Sequence, residues 1–174
     1  MSYGIMPYRV NLARVGTRFG NEKTNKRTKA KNACLRYLHD FEDEAGGLSN
    51  RALISEMIDE SKASHQNLGY KYWYAIKGLV EYLGGHLNNN AWYSASADFF
   101  WDNPFFKLYD IDSPMEIPEP DDFPVVFVLR YAAMSDDFLA MCEEKLDDEE
   151  QLIEMKEWVK KAKQYRQDLV LFYH

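Results

Sequence analysis

Cysteine is scarce in this chain: 174 residues hold two, Cys34 and Cys142, enough for one bridge and too few for a disulfide-built scaffold. Residues 1–12 show no basic segment followed by an apolar one, so no secretory leader is expected and a reducing cytoplasm is the predicted compartment. No window approaches the roughly 18 consecutive apolar residues that a membrane span needs, and neither end carries a lipidation signal. A soluble protein follows. Catalytic signatures are missing as well: there is no G-x-x-x-x-G-K-[ST], no G-x-G-x-x-G after a strand, no G-x-S-x-G and no H-E-x-x-H. His39, His65, His86 and His174 are scattered and neither cysteine belongs to a C-x-x-C pair, so no metal site and no cofactor is expected.

Apolar material is plentiful by contrast. A 46% hydrophobic and 15% aromatic content supports a real core, and the length suits one domain over residues 1–174. The net charge of -7 is unevenly placed. From Arg9 to Arg36 nine basic residues face the single acid Glu22, whereas from Asp110 to Glu157 acids cluster at Asp121-Asp122, Asp136-Asp137, Glu143-Glu144 and Asp147 to Glu150. The basic third lacks a nucleic-acid motif and belongs to an acidic protein, so a solvated face is expected there rather than a nucleic-acid footprint.

The pattern of elements predicts an α+β chain. Tyr3 to Val10 reads as a first strand with Met6, Tyr8 and Val10 on one face, and Pro7, which has no ladder donor, places it at an edge or a bulge. Asn11 caps a short helix carrying Leu12, Val15 and Phe19 that Gly20 ends. Asn21 to Lys31 is read as a mobile basic loop leading into a helix over Cys34, Leu35, Leu38 and Phe41, which Gly46-Gly47 stops. Ser49 caps a helix with Leu53, Ile54, Met57 and Ile58 inside, and Tyr72, Ile76, Leu79, Val80 and Leu83 step along the next until Gly84-Gly85.

Residues 112–124 hold four of the six prolines and are read as an extended connector, after which Val125 to Leu129 forms a strand. Ser135 caps a helix begun by Asp136-Asp137, with Phe138, Leu139, Met141, Cys142 and Leu146 as its inner residues. A last helix begins at Glu149, capped by Asp147 with Glu150 or by Asp148 with Gln151; Leu152, Met155, Val159 and Ala162, with Trp158 and Tyr165 beside them, make its apolar face, and it leads into the strand Asp168 to His174. That strand is apolar without alternation, which suits cover on both faces. The expected architecture is a small mixed or antiparallel sheet of N-terminal, C-terminal and post-proline strands under five or six helices.

Two features offer a surface for recognition. Eight aromatic residues crowd between Trp92 and Tyr109; most are expected in the core, with Trp92, Tyr93 and Trp101 accessible because they adjoin the polar Asn88-Asn89-Asn90 loop. Asp121-Asp122 beside Phe123-Pro124 is the carboxylate pair to test for acid/base or metal work, and a candidate binding pair, against a plain reading as turn and cap residues.

The opening Met-Ser-Tyr-Gly-x-x-x-Tyr, the run Gly69-Tyr-Lys-Tyr-Trp-Tyr-Ala-Ile76, Leu83-Gly-Gly-His-Leu87, Pro120-Asp-Asp-Phe-Pro124 and Trp158-x-x-x-Ala162 before Asp168 to His174 together resemble a family of uncharacterised bacterial proteins. In outline the chain is also similar to the YfbM-like proteins. Either resemblance implies a fold and brings no reaction with it.

The expected function is therefore a non-enzymatic protein-binding module, of the kind in which an immunity-like protein neutralises a basic partner. Acidic surfaces steer such partners, and a few aromatic anchors supply most of the affinity. The alternative is a small-molecule binder or enzyme with its pocket between the 92–109 stretch and Asp121-Asp122. A third reading is a purely structural subunit of a homo-oligomer, which the mass in solution separates from both.

Overall fold

The computed structural model describes residues 3–20, 23–41 and 48–174. In chain order its elements are β1 (Ile5–Val10), α1 (Leu12–Gly16), α2 (Thr24–Leu35), α3 (Asn50–Glu60), α4 (Gly69–Leu83), β2 (Gly85–His86), α5 (Asp98–Trp101), β3 (Lys107–Leu108), β4 (Val125–Leu129), α6 (Asp136–Lys145), α7 (Glu149–Tyr165) and β5 (Asp168–Tyr173). The chain is α+β. It divides into two compact units, neither contiguous in sequence. One comprises Met1–Asn11, Gly84–Asp110 and Val125–His174, and the other Leu12–Leu83 and Ile111–Pro124.

The first unit is built on an antiparallel sheet of order β2-β1-β5-β4-β3. β5 is its centre, pairing Tyr173 with Ile5 of β1 on one side and with Val125 of β4 on the other. Leu169 to Phe172 are fully buried, as the unbroken apolar run implies. Five strands form where three are expected, because β2 and β3 are two residues each and carry no period that a sequence could display. β1 lies one strand in from the edge rather than at it. Pro7 is tolerated there because its carbonyl, accepting from Leu87 N at 2.9 Å, turns toward short β2, and its donorless nitrogen turns the same way.

α7 packs on β1 and β5 with Met155, Trp158, Val159 and Ala162 inward, while Leu152 is half-buried and Tyr165, against expectation, is exposed, its ring covered by Arg9. Asp148 caps it by accepting from Gln151 N, and Arg166 closes it in the left-handed conformation. Its Glu154 carboxylate accepts from the backbone N–H groups of Asn90 (3.0 Å) and Ala91 (3.1 Å), and Trp158 Nε1 donates to Asn88 O. The three-asparagine loop is thereby fastened to the helix.

The second unit is helical. α3 starts as its sequence implies, Ser49 Oγ accepting from Ala52 N, with Leu53, Ile54, Met57 and Ile58 buried. α2 corrects the expectation of a mobile basic loop: Thr24 to Leu35 is helix, while residues 21–22 lie outside the described residues. Ala30, Ala33 and Cys34 form its inner face, and Lys31 bonds across to Asp59 of α3. The helix ends at Leu35, short of Leu38 and Phe41, and the Gly46-Gly47 stop lies outside the described residues.

Small residues let α2 approach α4 closely. A Cβ on Gly78 would stand 2.1 Å from Ala33 O, so only glycine fits. Residues 111–124 form an extended connector without helix or strand, with a cis Phe123–Pro124 bond. Among the described residues no helix is long and apolar enough to cross a membrane.

Candidate functional site

The five expected recognition residues fall in both units. Trp92, Tyr93 and Trp101 belong to the sheet unit, and Asp121 and Asp122 to the helical one. Trp92 is a correction: at 1% exposure it is core, its ring 5.0 Å from Phe100 and 5.7 Å from Trp158 and its Nε1 donating to Gln151 O. The polar loop before it does not hold it in water, because α7 takes up that loop's backbone donors and draws the next residue inward. Tyr93 (59% exposed) and Trp101 (51%) are accessible, the latter edge-on to Phe127 at 5.1 Å. Both cysteines are free and buried. Burial raises each thiol, to about 12 for Cys142, so neither offers a reactive thiolate near neutral pH.

Asp121 and Asp122 border a depression of about 340 Å³ whose walls come from the helical unit. Tyr70 and Tyr74, one turn apart on α4, supply one side, set by the i, i+4 spacing. The ring of Phe41 meets both, at 5.4 Å and 62° to Tyr70 and at 5.1 Å and 38° to Tyr74. Phe41 is thus inclined to both tyrosines rather than stacked flat on either, and all three rings line the depression. Glu119, Asp121, Asp122 and Phe123 come from the connector, and Gln66 and Asn67 from the turn before α4.

The connector is fixed at this point by two contacts. Trp73 Nε1 donates to Pro118 O at 3.0 Å, and Gly69 admits the main chain so closely that a Cβ would lie 2.5 Å from Glu119 O. The acids are thus held against the rings by backbone, not by their own side chains. None of Glu119, Asp121 and Asp122 has a side-chain hydrogen bond or ion pair among the described residues. Burial, with the Asp122 charge adding to it, raises the Tyr74 phenol above its ordinary range. The depression combines three carboxylates with aromatic faces, a composition that attracts cations through charge and through the ring quadrupole.

A second polar cluster lies around Glu56. Its carboxylate accepts from Ser64 N (2.9 Å), Ser64 Oγ (2.7 Å) and Tyr72 OH (3.2 Å), with His65 Nε2 at 3.0 Å. Burial pushes Glu56 up, but the two Ser64 hydrogen bonds and His65 outweigh it and hold the carboxyl below the usual range. Serine, histidine and glutamate meet here without the order that nucleophilic catalysis needs. Ser64 and His65 both address the carboxylate, so the hydroxyl is not passed to an imidazole base. The cluster closes the turn after α3, whose C-cap residue Ser61 is left-handed. Among the described residues no group of three or more His, Cys, Asp or Glu could hold a metal ion.

Over residues 1–174 the sequence matches the family described as a domain of unknown function (DUF7691). The chain belongs to the DUF7691 family. Membership agrees with the resemblance carried by the Pro120 to Pro124 and Asp168 to His174 segments, while the link to YfbM-like proteins is not shown. No curated protein and no solved structure matches this DUF7691 member.

The sequence pointed to Asp121 and Asp122 but not to Phe41, Tyr70 and Tyr74. Tyr70 and Tyr74 stand outside the buried stripe of Tyr72, Ile76, Leu79 and Val80. Two half-buried aromatics at i, i+4 beside the core stripe are the signal that marks them.

Proposed function

We propose that this protein is a cytoplasmic, non-enzymatic binding module of the immunity type, which captures a basic protein partner at the Phe41, Tyr70, Tyr74 and Asp121-Asp122 depression. The observation that carries the reading is that the acids beside the aromatic wall have no side-chain partner among the described residues. A fold that places such carboxylates against half-buried rings leaves them for an external cation. Two buried free thiols suit a reducing compartment.

The basic N-terminal third supports the same reading, since several of its cations are engaged internally. Lys31 pairs with Asp59, Arg36 with Glu81 at 3.0 Å, and Arg9 bonds Gln167 and covers the Tyr165 ring at 3.9 Å. A phosphate backbone would have to compete with those contacts.

The test is affinity capture from the native host with wild type and the Asp121→Asn/Asp122→Asn double variant over a range of ionic strength. A basic partner should be retained at low salt, released as salt rises, and lost with the double variant. Recovery of nothing at any ionic strength, or of a partner indifferent to the variant, would overturn the proposal.

A further inference from the structure

We infer that the group received by this depression is an alkylammonium head, a lysine side chain whose ε-nitrogen is methylated, in preference to a guanidinium. This deepens the reading of the same site as a receiver of basic partners and rests on it.

The inclination of the rings distinguishes the two kinds of cation. Phe41 is inclined by 62° to Tyr70 and by 38° to Tyr74, with ring centroids 5.4 and 5.1 Å apart. A planar guanidinium gains most by stacking flat on one ring while its fork meets a carboxylate in the same plane. Mutually inclined faces offer no such common plane. A roughly spherical ammonium, by contrast, can touch several inclined faces at once, and the quadrupole of each ring attracts it.

The acids fit this occupant in number and in place. Glu119, Asp121 and Asp122 border the rings, lack partners among the described residues, and are carried on a connector held by Trp73 and Gly69. They supply long-range attraction without a fixed fork. Each methyl added to the ammonium removes a strongly hydrated N–H and adds apolar surface, which lowers the cost of leaving water and raises contact with the rings. Affinity should therefore climb from lysine to trimethyllysine. The volume of about 340 Å³ is sufficient for a trimethylammonium head and the end of its methylene stem.

The experiment titrates the intact protein, followed by the NMR signals of the Tyr70 and Tyr74 rings, with four blocked amino acids. They are N-acetyl methylamides of trimethyllysine, lysine, arginine and the neutral tert-butyl isostere of trimethyllysine. Tetramethylammonium forms a fifth arm, to separate the head alone from a peptide-borne side chain. The expected order is trimethyllysine tightest, at least about tenfold over the neutral isostere, with arginine weaker, and with saturable shifts confined to the depression. Tyr74→Ala should abolish them, and Asp121→Asn/Asp122→Asn should weaken every cation while leaving the isostere unchanged.

Equal binding of the isostere, or tighter binding of arginine or unmodified lysine, overturns the inference, as does the absence of saturable shifts in a wild type shown to be folded. The two proposals fail separately. A partner captured in an Asp121/Asp122-dependent way with no preference for alkylammonium leaves the binding function standing and removes only its ligand class. Alkylammonium binding with no such capture does the reverse.

Discussion

Gly78 sets how closely α2 and α4 can lie. The site a Cβ would occupy is filled by backbone, Ala33 O at 2.1 Å and Ala33 C at 3.0 Å, and helix backbone cannot rotate aside as a flexible side chain would. Gly78→Ala is expected to lose about 1–3 kcal/mol in urea unfolding despite alanine's better helix propensity. A gain in stability would mean that the two helices slide freely.

Lys77, one residue earlier and 3% exposed, places its Nζ 4.5 Å from the Tyr37 ring centroid. Burial lowers it to about 8 from 10.5, against the charge of Glu81, which acts to raise it. Between those values the unfolded chain binds a proton that the folded chain does not, so stability rises with pH across the window. Below about pH 8 the folded state carries the cost of a buried charge. Lys77→Met should thus be more stable than wild type at pH 7, by on the order of 1–3 kcal/mol, even after losing the contact to Tyr37. Its stability should also lack the wild-type rise between pH 8 and 10. A destabilised, still pH-dependent variant would show that the charge is compensated where it lies.

Elements were legible in the sequence wherever apolar spacing and a cap agreed. Ser49, Ser135 and Asp148 each accept from the backbone N–H three residues on, at the starts of α3, α6 and α7. α2 was not legible, because its inner face is made of small residues and its outer face of lysines, which together read as a polar tract. The depression was half legible. Asp121 and Asp122 stand out beside their prolines, but the rings that give them meaning come from Phe41 and from α4 and meet them only on folding.

Trp92 was misplaced for a related reason, since the loop before it gains its order from a distant helix. Glu154 supplies that order by accepting from Asn90 N and Ala91 N. Glu154→Ala should cost about 1–3 kcal/mol, because two backbone donors lose a charged acceptor. It should also red-shift tryptophan emission as the cover over Trp92 loosens. Unchanged stability and emission would show that Gln151 and Trp158 hold the loop without it.

For the whole molecule, the net charge of -7 separates what stabilises the protein from what it presents to others. Asp110 is matched by Arg130 at 3.0 Å and Glu81 by Arg36, and these acids contribute to folding. Asp121 and Asp122 are exposed, adjacent and unmatched among the described residues, so their mutual repulsion opposes folding slightly. Removing both charges should leave unfolding within about 0.5 kcal/mol of wild type, or improve it, while weakening capture of a basic partner and flattening its salt dependence. The two readouts on one variant decide between a role in folding and a role in recognition. Loss of stability in Asp121→Asn/Asp122→Asn, with the salt dependence of capture unchanged, would place these carboxylates among the structural acids and move the binding surface elsewhere.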